Sequence, residues 1–205
     1  MKQALRFPSR ALIVATMALE LALPARAHEP AAHIHGAGSL EIAIDGAAVQ
    51  INLYSPLDNL LGFEHAPGNE KERQAARTMA LRLHQADNLF ILTPEARCSL
   101  ETTRLESPVL APDLLMPASD SGKSADKSDG RKDNTSKAAL PASNDMHGEL
   151  EATWQFQCAL PQALQSLDVR LFKAFPGLRR LDAAIAGPKG QSSAKLSPEF
   201  TRLKW

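Results

Sequence analysis

Residues 37–56 read AGSLEIAIDGAAVQINLYSP, and their spacing decides the fold class. Leu40, Ile42 and Ile44 alternate with Glu41, Ala43 and Asp45. A period of two sends apolar side chains to one face of a strand and polar ones to the other. Asp45-Gly46 is a hairpin turn signal, and Val49, Ile51 and Leu53 resume the alternation beyond it. The stretch is a β-hairpin with one buried face.

Downstream, residues 57–68 (LDNLLGFEHAPG) form a loop or short turn with Leu60, Leu61 and Phe63 as apolar anchors. From Asn69 the composition is helical. Asn69 can cap, Glu70 and Glu72 suit the positive end of a helix, and Ala75, Met79 and Leu83 recur along one face. The helix ends near Gln85, and Leu89–Leu92 packs behind it. Residues 97–106 and 149–158 read as strands, as do Leu167–Phe172, Leu178–Ala186 and Gln191–Leu196, with glycine- and proline-bearing turns between the last three. Seven short strands and one clear helix make an α+β domain with a mostly antiparallel sheet, a sandwich being one way to fold it over.

Between the strands at 97–106 and 149–158, residues 117–146 (PASDSGKSADKSDGRKDNTSKAALPASNDM) are almost free of large apolar groups. Such a segment cannot bury enough surface to offset its ordering entropy, so it reads as a disordered insert in the domain.

Residues 1–27 have the form of a cleavable secretory signal: Lys2, Arg6 and Arg10, then the apolar run 11–23, then Pro24-Ala25-Arg26-Ala27. As a helix, that run rises only about 20 Å against a hydrocarbon core of ~30 Å, which argues against a membrane anchor. Cleavage before His28 leaves 178 of the 205 residues as a single domain, 28–205. It removes four basic residues and one acidic residue from a chain with 23 of each, leaving a net charge of −3. There is no basic stripe with interleaved aromatics to suggest nucleic acid, and no second apolar stretch long enough for membrane insertion. The expected compartment is an oxidising one outside the cytoplasm.

Cys98 and Cys158 are the only cysteines. An even pair in an exported protein reads as one disulfide, the alternative being two ligands of a metal site. If the two strands that carry them pair antiparallel, Cys98 at the start of one lies opposite Cys158 at the end of the other, which favours the disulfide.

No nucleophile elbow, phosphate-binding glycine loop, zinc-protease helix or C-x-x-C is present, so no pattern asks for an enzyme. The unusual feature is histidine. His28, His33 and His35 fall within eight of the first mature residues. On an extended chain the i, i+2 pair His33 and His35 leaves from the same side and can chelate a borderline metal such as zinc. A free amine on His28 would add a bidentate option of the kind copper favours. The plainer alternative is a polar terminus that meets metal incidentally. Glu64-His65 could act as two ligands, or as a ligand and its supporting group, or His65 could simply cap the following helix. His84, late in the helix, suits the C-terminal dipole and reads as structural. His147, just before a strand, is a further candidate ligand.

His33-Ile34-His35-Gly36, the Leu40–Asp45 strand, Ser55-Pro56…Gly62-Phe63-Glu64-His65-Ala66-Pro67 and Ser166–Phe172…Phe175-Pro176-Gly177 together resemble the ZrgA-like family, from about His33 to Leu203. These are zinc-regulated periplasmic proteins of Gram-negative bacteria. The resemblance implies zinc binding in the periplasm, serving metal uptake or buffering, and the histidines read above then make His33, His35, His65 and His147 the expected ligands. Members commonly carry a His- and Asp-rich tract in the insert, and residues 117–146 here hold no histidine. Two other readings therefore stand beside it: a module that docks on an envelope ABC-type metal transporter and has given up metal, and a copper carrier using the His28 amine.

Overall fold

A computed structural model describes residues 34–117 and 148–205. The signal segment 1–27, His28, and the insert beyond Pro117 lie outside the described residues. Strands β1 (Ala37–Asp45) and β2 (Ala48–Pro56) form the expected hairpin, with Leu40 opposite Leu53 and Ile42 opposite Ile51. Leu40, Ile42, Val49, Ile51 and Leu53 are buried while Glu41 and Asp45 are exposed, so the alternation read from sequence is the burial pattern of the sheet.

The remaining strands are β3 (Phe90–Leu92), β4 (Cys98–Glu106), β5 (Glu149–Cys158), β6 (Ser166–Val169), β7 (Arg180–Gly187), β8 (Gly190–Leu196) and β9 (Arg202–Lys204). Six of them make a sheet in the order β4-β5-β2-β1-β7-β8, and three make a smaller sheet, β3-β6-β9. Every described pairing is antiparallel except β1 with β7. Leu150, Ala152, Trp154 and Phe156 on β5 and Leu181, Ala183 and Ile185 on β7 share the buried face of the large sheet with the hairpin residues. The fold is α+β.

Four helical segments accompany the sheets: α1 (Asp58–Leu61), α2 (Glu70–His84), α3 (Pro112–Leu115) and α4 (Leu171–Ala174). Asn69 caps α2 by accepting from the Glu72 amide at 3.0 Å. The Glu72 carboxylate returns the favour to the Gly68 amide at 2.7 Å and to the Asn69 carboxamide at 2.8 Å. Those bonds, the one from the Gly68 amide first, hold the Glu72 carboxyl below its ordinary range. The buried stripe of α2 is Ala76, Met79, Ala80 and Leu83, with Ala75 only half-buried.

Trp154 joins the layers. It is fully buried, its ring meets Phe90 of β3 edge-on with centroids 4.7 Å apart, and its Nε1 donates to the Leu83 carbonyl of α2 at 2.8 Å. One side chain thus touches the large sheet, the small sheet and the main helix, and a single hydrophobic cluster runs through all three.

Two expectations need correction. Leu167–Phe172 is not one strand: β6 ends at Val169, and α4 takes over at Leu171. Leu171 and Phe172 are adjacent and both buried, which a strand with alternating faces cannot arrange and a helical turn can. Leu89–Leu92, read as packing behind the helix, contains the short strand β3, and β9 near the C-terminus was not expected as a strand.

Cys98 pairs with Cys158 in the β4–β5 register, and the two form a disulfide across a sequence separation of 60. Replacing both with serine should lower the unfolding free energy by roughly 4 kcal/mol on the chain-entropy account. Urea denaturation of the oxidised protein beside the double variant measures it, and coincident midpoints would refute a stabilising role.

Candidate metal centre

The end of the large sheet opposite the disulfide is built around two buried polar side chains, Ser55 and Asn59, which are 0% and 2% exposed. Buried polar groups must find partners, and these find them in one another and in the start of β1. Asn59 Oδ1 accepts from the Gly36 amide at 2.6 Å. Its Nδ2 donates to the Ala37 carbonyl at 2.8 Å and to Ser55 Oγ at 3.1 Å, and Ser55 Oγ donates to the Pro56 carbonyl at 3.1 Å.

The single turn of α1 sets Asp58 beside this network. Its Oδ2 lies 2.9 Å from Nδ1 of His35, whose side chain is 71% exposed. A carboxylate can only accept, so Nδ1 carries the proton, and Nε2 of the neutral ring is left with its lone pair. A carboxylate behind a histidine in this way is the arrangement that orients metal-ligating imidazoles.

His35 does not sit on an extended chain. Residues 34–37 form a turn closed by the Ala37 amide donating to the Ile34 carbonyl at 2.9 Å, with Gly36 at φ 81°. That left-handed conformation suits glycine. His33 itself lies outside the described residues, as do His28 and His147.

Glu64 and His65 follow α1 on the same loop. His65 Nδ1 donates to the Ala66 carbonyl at 3.0 Å, and its ring stacks on Phe63 with centroids 5.0 Å apart. A carbonyl cannot donate, so His65, like His35, keeps Nε2 for a ligand. The half-buried Glu64 is packed against Gly148, where a Cβ would run into the Glu64 carbonyl, and the Gly148 carbonyl accepts from the Leu57 amide at 2.8 Å. His84 differs from both. Its Nε2 bonds to the Leu115 carbonyl at 2.9 Å, tying α2 to α3, which agrees with a structural role.

Among the described residues, no group of three or more His, Cys, Asp or Glu side chains converges to hold a metal ion. The structure brings His35 together with Asp58, and places Glu64 and His65 beside the residue that follows His147. The sequence reading of this loop weighed its apolar anchors and Glu64-His65, and passed over Asp58 and Asn59. The available signal was two adjacent polar residues opening a helical turn after Ser55-Pro56.

The described domain is α+β, with a disulfide at one end of its large sheet and the exposed histidines His35 and His65 at the other. The family model described as ZrgA family zinc uptake protein matches residues 32–205, and the chain belongs to that family. Its role therefore lies in zinc uptake. No curated protein matches the chain. Among the described residues no helix is long and apolar enough to cross a membrane.

Asn59→Ala should leave the Gly36 amide and the Ala37 carbonyl without their partner and destabilise the domain by about 2–4 kcal/mol. Thermal and urea unfolding of the variant test this, and a loss under about 0.5 kcal/mol, the range of ordinary surface changes, would sink it.

Proposed function

We propose that this chain is a non-enzymatic periplasmic accessory protein that binds zinc as cargo for uptake or buffering, exported by the signal at 1–27 and cleaved before His28. Its ligands are drawn from His33, His35, His65 and His147, with Glu64 and His28 as further donors and Asp58 as the group that orients His35. The supporting observation is convergence at one end of the sheet. Gly36 is bonded to Asn59, Leu57 to Gly148, and Gly148 packs on Glu64. His35, Glu64 and His65 lie on those segments, His33 is two residues from His35, and His147 directly precedes Gly148.

The chemistry of the donor set fits zinc, a borderline cation that takes neutral imidazole and carboxylate. Each imidazole must be deprotonated to bind, so zinc affinity falls as the medium is acidified through the ordinary histidine range, near about 6.5. One observation favours a second reading, a module that docks on an envelope transporter without metal: the histidine-free insert. Pull-downs from periplasm with and without chelator separate the two, because only zinc binding makes capture chelator-sensitive.

Isothermal titration of the mature protein at neutral pH should give a zinc dissociation constant below about 10 µM, equivalent to some 7 kcal/mol. His35→Ala and His65→Ala should each weaken it. Asp58→Asn, which keeps the shape but not the charge, should cost about 10–100-fold. Zinc binding weaker than 10 µM in the unmodified protein would end the reading for this chain.

A further inference from the structure

Away from the histidine corner lies a groove of about 430 Å³ with charge of one sign. Arg82 comes from the last turn of α2, Arg170 stands at the foot of α4 and Lys173 within it, while Gln85 and Asn88 add polar groups and Leu89 part of the wall. No Asp or Glu lines it.

Arg73, Arg77, Arg104, Arg180 and Arg202 each pair with an acidic side chain. Among the described residues, Arg82, Arg170 and Lys173 have no such partner within ion-pair distance. Three cations are therefore left in one recess of a protein whose mature chain is net acidic.

The cations also stand on fixed supports. Arg82 Nη1 donates to the Ala174 carbonyl at 3.2 Å, which tethers the guanidinium across the groove and uses one of its five N–H donors. The Arg170 amide donates to the Leu89 carbonyl at 2.8 Å, and the Lys173 amide to the Arg170 carbonyl at 3.1 Å, so the foot of α4 is pinned to the start of β3. Guanidinium forks match the paired oxygens of a carboxylate or a phosphate, with Lys173 as an added point charge. The volume falls within the range of small-molecule sites, about 300–1,000 Å³.

We propose that this groove binds a small, multiply charged oxyanion, independently of zinc. The shared chemistry is an array of carboxylate or phosphate oxygens, and citrate and inorganic pyrophosphate serve as probes for the two sources.

The test is titration of the chelator-treated mature protein with each probe at low salt. At least one should bind with a dissociation constant below about 1 mM, a free energy near 4 kcal/mol. Binding of citrate alone assigns the groove to carboxylates, of pyrophosphate alone to phosphates, and of both to oxyanions in general. The Arg170→Gln/Lys173→Gln double variant, and separately Arg82→Gln, should weaken binding 10-fold or more, while Arg97→Gln, an exposed arginine outside the groove, should not. Raising salt to about 0.5 M should weaken binding by the unmodified protein, an arm that does not depend on how the variants fold. If neither probe binds below 1 mM, or if the groove variants bind as the unmodified protein does, the proposal is overturned.

Discussion

The start of β1 is clamped at Gly36, and the end of the domain that carries His35 is organised around that clamp. The Gly36 carbonyl accepts from the amides of Arg179 and Arg180 at 2.7 and 2.8 Å, while its own amide donates to Asn59. One residue thereby ties the N-terminal lead, the loop after β2 and the approach to β7. The parallel register of β1 with β7 begins at the next position, Ala37 opposite Arg180. A parallel pair needs the chain to return to the same end from which the first strand left. The clamp marks that return, and His35 stands immediately before it.

The two ends of the large sheet are built differently. At the hairpin end, the Cys158 amide donates to the Ala47 carbonyl and the disulfide locks the edge strand β4 to β5. At the other end, β4 finishes with Glu106 opposite Glu151, and β5 begins beside Pro56. The chain between β4 and β5 therefore leaves and returns at the end that carries His35, Glu64 and His65, about 30 Å from the disulfide at ~3.3 Å per residue. An insert anchored there can vary in composition without disturbing the core, because Trp154 and the apolar face of the sheet are closed by α2 and the small sheet. Residues 117–146 hold no histidine.

What the sequence made legible was what local chemistry decides. The hairpin, the cap at Asn69 and the opposition of Cys98 and Cys158 follow from period, capping geometry and register, each contained in short stretches. The division of Leu167–Phe172 between β6 and α4 was not legible, because the alternation of Leu167, Val169 and Leu171 is real and only the burial of the adjacent Phe172 breaks it. Strands β3 and β9 have three residues each and exist through their pairing with β6. For the candidate site, His35, Glu64 and His65 could be named from residue type. Asp58 and Asn59 offered only their polarity at the opening of a turn, and their partners lie 22 or 23 positions away on the other side of the hairpin.

Adjacent residues 58 and 59 divide the work of the site between stability and orientation. Asn59 is buried, and its bonds replace ones that its partners would otherwise make to water, so its contribution is to the fold. The Asp58–His35 pair is different. With side chains 36% and 71% exposed, it is screened by solvent and belongs with surface pairs worth ~0–1 kcal/mol. So small a term does not account for the arrangement through stability. What the pair fixes is which ring nitrogen holds the proton, and so the direction in which His35 offers its lone pair. His65 reaches the same outcome with a backbone carbonyl as the acceptor and Phe63 as a stacking platform, whereas His84 commits Nε2 to Leu115. The described histidines thus sort by which nitrogen the fold occupies, Nδ1 in His35 and His65 and Nε2 in His84.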